Sequence, residues 1–479
     1  MVTKTATAER LLIGGSWVRS RGESYPLYNP YDGSELAHIP MATPEEVEDA
    51  VRAASEAFAV TEVTPAHERA RRLNATADFI ARDREVLGRT IAAEAGKALK
   101  YALAEADRGE QTFRFAAEEA KRIQGETVPM DAGRGAENRM GFWIRVPKGP
   151  VAAISPFNFP LNLVAHKVAP ALAAGNSVVL KPASATPLTA FHLGRLLVEA
   201  GFPAGSVNIL TGKGSVVGDA LVSDSRIAVV SFTGSPAVGR GILARAGLKR
   251  VILELGSNSA VVVAADADFA KVFPAVVNAA YANSGQVCLS VQRLYVHQSR
   301  WREFVERFLA ATEALVVGDP LDPATDVGPM ISQAEAERAE SWIEEAVQAG
   351  AQVLVGGTRK GAVVQPTVLV GVRPEMKVMC REVFAPVVSL VPFTDLDEAF
   401  GMVNDSPYGL QAGIFTESLD TAFAAVRALR VGGIMVNDTS NYRVDHMPYG
   451  GVKGSGLGRE GPHFAVEEMT DLKMVVLNL

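Results

Sequence analysis

Only two cysteines, Cys288 and Cys380, occur in 479 residues. Two thiols so far apart make no disulfide framework, so a reducing compartment, the cytoplasm, is the expected setting. No run approaches the roughly 20 apolar residues of a membrane-spanning helix. The opening "MVTKTATAERLLIGGSWV" lacks the apolar core of a signal peptide. Positive charge is not in excess either: 47 Lys and Arg face 54 Asp and Glu, for a net charge of −7. Neither nucleic acid nor an anionic membrane surface is therefore an expected partner. Seven histidines scatter without Cys/His ligand spacing, so no metal site is expected. Without a G-x-x-x-x-G-K-[ST] motif, P-loop phosphoryl transfer has no support. Internal repeats and low-complexity tails are missing too.

What is present is an ordinary globular composition, 48% hydrophobic and 21% charged, in a chain too long for one core. Two domains or three are expected. Residues 44–122 read as helices, opening at "TPEEVEDAVRAASEAFA" with a Thr cap and an acidic first turn. After Pro147 short Val/Ile/Leu runs alternate with helical stretches, as in "PVAAISPFN", "LNLVAHKVAPALAAG", "NSVVLKP", "IAVVSFTGS" and "RVILELGS". Continuous apolar strands separated by helices predict a doubly wound, parallel α/β sheet. A second α/β set starts near Asn258 and takes in "AVVVAADAD", "RLYVHQS", "QPTVLVGV", "APVVSLVPF" and "GGIMVN". Two segments fit neither set, "GETVPMDAGRGAENRMGFWIRVPK" and "EEMTDLKMVVLNL". Each reads as an extended arm. The apolar last strand is expected to bury itself against another subunit, the alternative being that it completes an edge of its own subunit's sheet.

Several residues stand where chemistry is possible. Cys288, in "NAAYANSGQVCLSVQRLYV", lies at a helix-to-strand junction; a buried structural thiol is the plain alternative, and Cys380 keeps that reading. Glu254 ends the apolar run "VILELGS", where a carboxylate is unusual unless paired or functional. At the carboxyl end of a parallel strand it would face the ligand crevice of an α/β sheet. Asn158 in "ISPFNFP" has an amide able to donate to a developing oxyanion, or it is a turn asparagine. Lys181 ends a buried strand in "VVLKPAS", a poor place for a cation without an anionic ligand. "SFTGSPAVG" carries Thr233, Gly234, Ser235 and Gly239 from a strand into a helix whose N-terminus could receive a phosphate.

Taken together and in this order, "PFNFP", "LKPAS", "SFTGS", "LELGS", "GQVC", "EVFAP" and "PYGGVKGSGLGRE" resemble the aldehyde dehydrogenase superfamily. The resemblance runs from about residue 10 to the last strand, and is closest in feel to the lactaldehyde, phosphonoacetaldehyde and non-phosphorylating glyceraldehyde-3-phosphate dehydrogenase group. It implies a Rossmann-type NAD(P)-binding domain over 1–123 and 147–255 and an α/β catalytic domain over 256–458. Residues 124–146 and 459–479 would form small β oligomerisation arms, giving a homodimer or homotetramer. Cys288 then matches the nucleophile, Glu254 the general base and Asn158 the oxyanion amide, with Lys167 and Glu460 matching a proton-relay pair of some members. Cofactor contacts are implied at Ser155, Pro156, Phe157, Asn158, Lys181, Ser184, Gly214, Gly218, Thr233, Gly234, Ser235, Val238, Leu255, Gly256, Glu382 and Phe384. Substrate contacts are implied at Arg108, Phe159, Val287, Arg443 and His446.

The implied reaction oxidises a small aldehyde to its acid with NAD or NADP, through a thiohemiacetal and a thioester hydrolysed by glutamate-activated water. NAD-preferring relatives often carry glutamate where this chain has Ser184, and losing that carboxylate removes repulsion against a 2′-phosphate, so NADP acceptance is expected. Relatives acting on phosphorylated substrates usually have arginine at Val287, and succinic-semialdehyde enzymes have it at Ala282. Both departures point to a small hydroxyaldehyde or singly charged aldehyde. Structural salt bridges are the alternative roles for Arg108 and Arg443. A cysteine hydrolase lacks a supporting histidine motif. A coenzyme A-acylating relative often lacks the glutamate at Glu254, and a non-catalytic relative would not need Cys288, Glu254 and Asn158 together.

Overall fold

The computed structural model describes residues 9–479. Four helices, Pro44–Thr61, Ala66–Arg82, Arg84–Ala95 and Leu99–Ala120, occupy the expected helical region. The first opens with Thr43 as a capping box: its side chain accepts from Glu46 N while the Glu46 carboxylate accepts from Thr43 N.

An eight-stranded sheet holds five parallel strands, in spatial order Val207–Ile209, Val178–Lys181, Val151–Ile154, Val229–Thr233 and Arg250–Glu254. From Val151–Ile154 the chain winds outward one way through two strands, then crosses back to wind the other way. The switch point therefore falls between Val151–Ile154 and Val229–Thr233, where an open α/β sheet has its ligand crevice. Register aligns the carboxyl ends: Ile154 pairs with Lys181 and with Phe232, and Thr233 pairs with Glu254. Asn162–Ala174, the helix after the central strand, is buried at every position, because it lies between this sheet and the helices Leu99–Ala120 and Pro462–Glu468.

A seven-stranded sheet follows, parallel except at its edge strand Gln352–Val355. Its strands Ala260–Val263, Arg293–His297, Thr367–Val370, Val387–Phe393 and Gly433–Val436 coincide with the apolar runs read from sequence; Gln411–Phe415 joins them.

Two boundaries differ from expectation. Residues 459–469 do not extend outward: Glu460 is buried and Pro462–Glu468 packs on the helical layer, so only Thr470–Asn478 reaches away. Gly456–Leu457 pairs with Arg250–Glu254 and so completes the first large sheet rather than the second. The last strand does find a partner within its own chain. It pairs along its whole length with Arg139–Pro147, in a small separate sheet that also holds Glu126–Val128. Leu472, Met474 and Val476 nevertheless stay exposed. Among the described residues no helix is long and apolar enough to cross a membrane.

Candidate active site

Cys288 follows the helix Phe269–Tyr281 through a tight turn in which Asn283, Ser284 and Gly285 all take positive φ, 53°, 56° and 69°. Such backbone is costly for residues with a Cβ, and here side-chain bonds hold it. Asn283 Nδ2 donates to the carbonyl oxygens of Asn158 and Gln286, and Ser284 Oγ donates to Gly328 O. Gly285 is required sterically, since a Cβ there would collide with the Ala385 carbonyl oxygen. The same turn engages Asn158, whose Nδ2 donates to Gln286 O at 2.9 Å and keeps one N–H to spare.

Glu254, at the end of its strand, Asn158, in the loop that follows Val151–Ile154, and Cys288 line one cavity of about 440 Å³. Glu254 is buried, and neither carboxylate oxygen has a partner among the described residues. Burial first, and then the negative charge of Glu460, hold it well above the usual carboxylate range. Burial likewise pushes the Cys288 thiol up to about 12, with Tyr449 and Arg443 pulling the other way.

Behind Glu254 lies a connected charge network. Lys167 Nζ donates to Glu460 Oε1 at 3.0 Å, to Thr233 Oγ1 at 2.7 Å and to Ser231 Oγ at 3.3 Å. Burial alone would raise Glu460, but Lys167, His166 and Arg443 outweigh it and bring it to about 2. Arg443 Nη2 lies 3.3 Å from Glu460 Oε2 and 3.0 Å from His166 Nε2. His166 Nε2 in turn lies 2.9 Å from Asp445 Oδ1.

The same cavity is lined by Pro156, Phe157, Thr233, Gly234, Ser235, Leu255, Gly256, Glu382 and Phe384. A second cavity, of about 550 Å³, is lined by Ser155, Lys181, Gly214, Gly218 and Val238. Lys181 suits an anionic or hydroxyl-rich ligand: it is buried, its ammonium meets only the Pro182 carbonyl, at 3.3 Å, among the described residues, and desolvation lowers it to about 8. Gly214 leaves open space where a side chain would stand, and a Cβ at Gly218 would come within 3.9 Å of the Lys181 side chain. Gly256 leaves room for the Glu382 carboxylate, which accepts the Ser257 N–H at 2.8 Å and which burial pushes up to about 7. Ser235 caps the helix Pro236–Arg245 and turns its N-terminal amides toward the crevice. These features fit a dinucleotide lying across both cavities. Ser184 stands apart: it lines neither cavity, and its hydroxyl donates to Gly212 O.

The expected substrate residues divide. Phe159 and Val287 pack around Cys288 with Leu289, Leu410 and Tyr449. Arg108 is engaged by Asp445 through two bonds, 2.7 and 3.0 Å, so here the structural alternative describes what is seen. Arg443 is ion-paired with Glu460 but sits beside the nucleophile, its guanidinium 3.6 Å from the centroid of the Tyr449 ring. His446 is exposed and lies against Phe115, with ring centroids 4.7 Å apart. Tyr449, His166 and Asp445 were not singled out from sequence. Tyr449 stood inside "PYGGVKGSGLGRE" with no charge or spacing to mark it, Asp445 lay just before that motif, and His166 adjoins Lys167.

Comparison with known proteins agrees with this geometry. Residues 17–475 match the aldehyde dehydrogenase family. The chain is 48% identical over 469 residues to 3-sulfolactaldehyde dehydrogenase of Priestia aryabhattai, covering 98% of each chain. Aldehyde dehydrogenase 21 of Physcomitrella patens, solved with the reaction product succinate, superposes with a TM-score of 0.97 at 39% identity, over 99% of each chain. A glyceraldehyde-3-phosphate dehydrogenase of Methanocaldococcus jannaschii, solved with NADP, gives 0.92 at 38% identity, over 96% of this chain and 100% of that one.

Proposed function

The chain belongs to the aldehyde dehydrogenase family and is an NAD(P)-dependent oxidoreductase; from that premise we propose that it oxidises a small hydroxyaldehyde carrying at most one terminal anion. The observation that carries the reading is the convergence of Cys288, Glu254 and Asn158 on one cavity. Cys288 loses its thiol proton to cavity water, Sγ attacks the aldehyde carbon as the thiolate, and the carbonyl electron pair moves to oxygen. The free N–H of Asn158 Nδ2 receives that oxyanion, a contribution typically worth about 3 kcal/mol of barrier. Bound oxidised dinucleotide supplies the hydride acceptor. With hydride gone, the carbon on Cys288 is a thioester. Glu254, with both oxygens unengaged, takes a proton from water as that water adds to the thioester; the C–S bond then breaks with its electron pair returning to sulfur, which regains a proton from cavity water as the acid leaves. The Lys167–Glu460 pair would relay the proton that Glu254 gains once water bridges it to the unengaged Glu254 carboxylate.

Lys181, Gly214 and Gly218 would hold the adenosine end, Ser155, Thr233, Gly234, Ser235 and Val238 the pyrophosphate region, and Glu382 the nicotinamide ribose. Pro156, Phe157, Leu255, Gly256 and Phe384 would wall the ring. NADP is accepted in this reading, because the buried Lys181 ammonium meets no carboxylate among the described residues and is left to receive a 2′-phosphate. The substrate class draws on the name of the Priestia relative and on Arg108, whose engagement by Asp445 leaves less charge for a dianion. The protein works in the cytoplasm as a dimer or tetramer joined through its small sheet, in an organisation of cofactor domain, catalytic domain and arms.

A test is to follow reduced nicotinamide with 3-sulfolactaldehyde, lactaldehyde, succinic semialdehyde and glyceraldehyde 3-phosphate, with NAD and NADP, and with and without coenzyme A. Highest kcat/KM on one of the first two, unaltered by coenzyme A, is expected. Preference for the phosphorylated substrate would overturn the substrate class, and dependence on coenzyme A would overturn hydrolysis.

A further inference from the structure

Tyr449 is hydrogen-bonded to the nucleophile: its hydroxyl lies 3.0 Å from Cys288 Sγ. The hydroxyl is held in place from several sides. Backbone bonds run both ways between Tyr449 and Glu460, at 3.1 and 2.7 Å. The Arg443 guanidinium lies over the ring face, itself fixed by Glu460 and His166. Between a neutral thiol and a phenol either partner can donate. Once the thiol has lost its proton, sulfur offers only lone pairs, and the tyrosine O–H becomes the donor by necessity.

Resting on the reading of Cys288 as the nucleophile, we propose that Tyr449 is a further catalytic residue, whose hydroxyl donates to Cys288 Sγ as the thiolate forms while the Arg443 cation over its ring strengthens that donor. The bookkeeping of protons is short: the S–H bond breaks, its proton passes to water in the cavity, the electron pair stays on sulfur, and the tyrosine O–H bond remains intact. A donor matters at this position because the surroundings oppose a thiolate. Burial and the carboxyls of Glu382 and Glu254 all disfavour it, and the groups working against them are Tyr449 and Arg443. Charge-assisted hydrogen bonds are about twice as strong as neutral ones, so the contact strengthens as the nucleophile is generated. Phenylalanine would keep the ring, the packing and the cation above it, and would lose this donor alone.

The experiment uses the full-length Cys380→Ser protein, in which Cys288 is the remaining thiol, without aldehyde or cofactor. Its iodoacetamide alkylation rate is measured against pH, with and without Tyr449→Phe. Loss of the donor should raise the apparent thiol pKa by about one unit. The alkylation rate near neutrality should fall about three- to tenfold, since higher nucleophilicity offsets part of the lost thiolate, and the deficit should persist as the pH is raised, because burial already holds the thiol at about 12. Superimposable profiles would overturn the proposal. Should Tyr449→Phe fail to fold, 3-fluorotyrosine at position 449 serves instead: its more acidic hydroxyl is a stronger donor to sulfur and should speed alkylation near neutrality, and an unchanged rate would equally overturn the proposal. Neither readout needs turnover. A protein that alkylated as expected yet oxidised no aldehyde would defeat the functional reading and leave the donor role of Tyr449 standing.

Discussion

Cys288 and Glu254 face the same cavity yet serve different halves of the proposed reaction, so single substitutions separate them. Cys288→Ala should abolish aldehyde oxidation while leaving dinucleotide affinity, read by titration calorimetry, within about twofold; joint loss of both would argue that the thiol shapes the pocket instead. Glu254→Gln should keep a stoichiometric hydride burst while steady-state turnover falls about 10²–10⁴-fold, the usual worth of a positioned base, and a lost burst would move Glu254 into the first half. Lys181 supplies a pH dependence whose sign follows from its environment. Desolvation lowers its ammonium to about 8, so the charge is present below that pH and disappears above it. The Kd for NADP should therefore rise by up to about tenfold between pH 7 and 9, and Lys181→Met should flatten the profile.

Among the elements, the turn before Cys288 matters most and was least legible. "ANSGQVC" marks a break, since Asn, Ser and Gly are turn residues, but three successive left-handed residues are not a pattern that local preference predicts. The conformation persists because Asn158, Gly328 and Ala385, all remote in sequence, bond to the turn or press against it. Gly285→Ala should cost about 2–3 kcal/mol through positive φ and collision together, lowering the thermal midpoint by a few degrees. Because the turn also binds the Asn158 amide through Gln286, the burst rate should fall more than cofactor affinity does. An alanine variant with native stability and burst would show that the strain is dispensable. The strands were easier to read. Their continuous apolar runs have no solvent-facing side, which is what a sheet covered on both faces requires.

At the scale of the molecule, two large, mostly parallel sheets meet around the cavity and a three-stranded sheet carries the C-terminal strand away from them. Leu472, Met474 and Val476 share one face of that strand and are 59%, 46% and 46% exposed, an unfavourable display of apolar surface unless something covers it. Replacing Met474 and Val476 with lysine should shift the protein toward monomer in sedimentation velocity while preserving its secondary structure; an unchanged assembly would place the subunit contact elsewhere. The arm was legible as an outlier from both α/β sets. Its true start at Thr470 was not, because Glu460 and the helix Pro462–Glu468 belong to the body through contacts distant in sequence.

The order of apolar runs and the turn residues between them were enough to determine the fold class, and seven ordered motifs carried the resemblance to the family that the chain proves to match. These are local quantities, written in period, composition and motif. Which charges face which was decided only by the folded chain. Arg108 is taken up by Asp445, Arg443 lies over Tyr449, Ser184 stands outside both cavities, and a tyrosine hydroxyl touches the sulfur. Such pairings depend on distances of a few ångströms between segments hundreds of residues apart, and Coulomb and hydrogen-bond energies change steeply over that range.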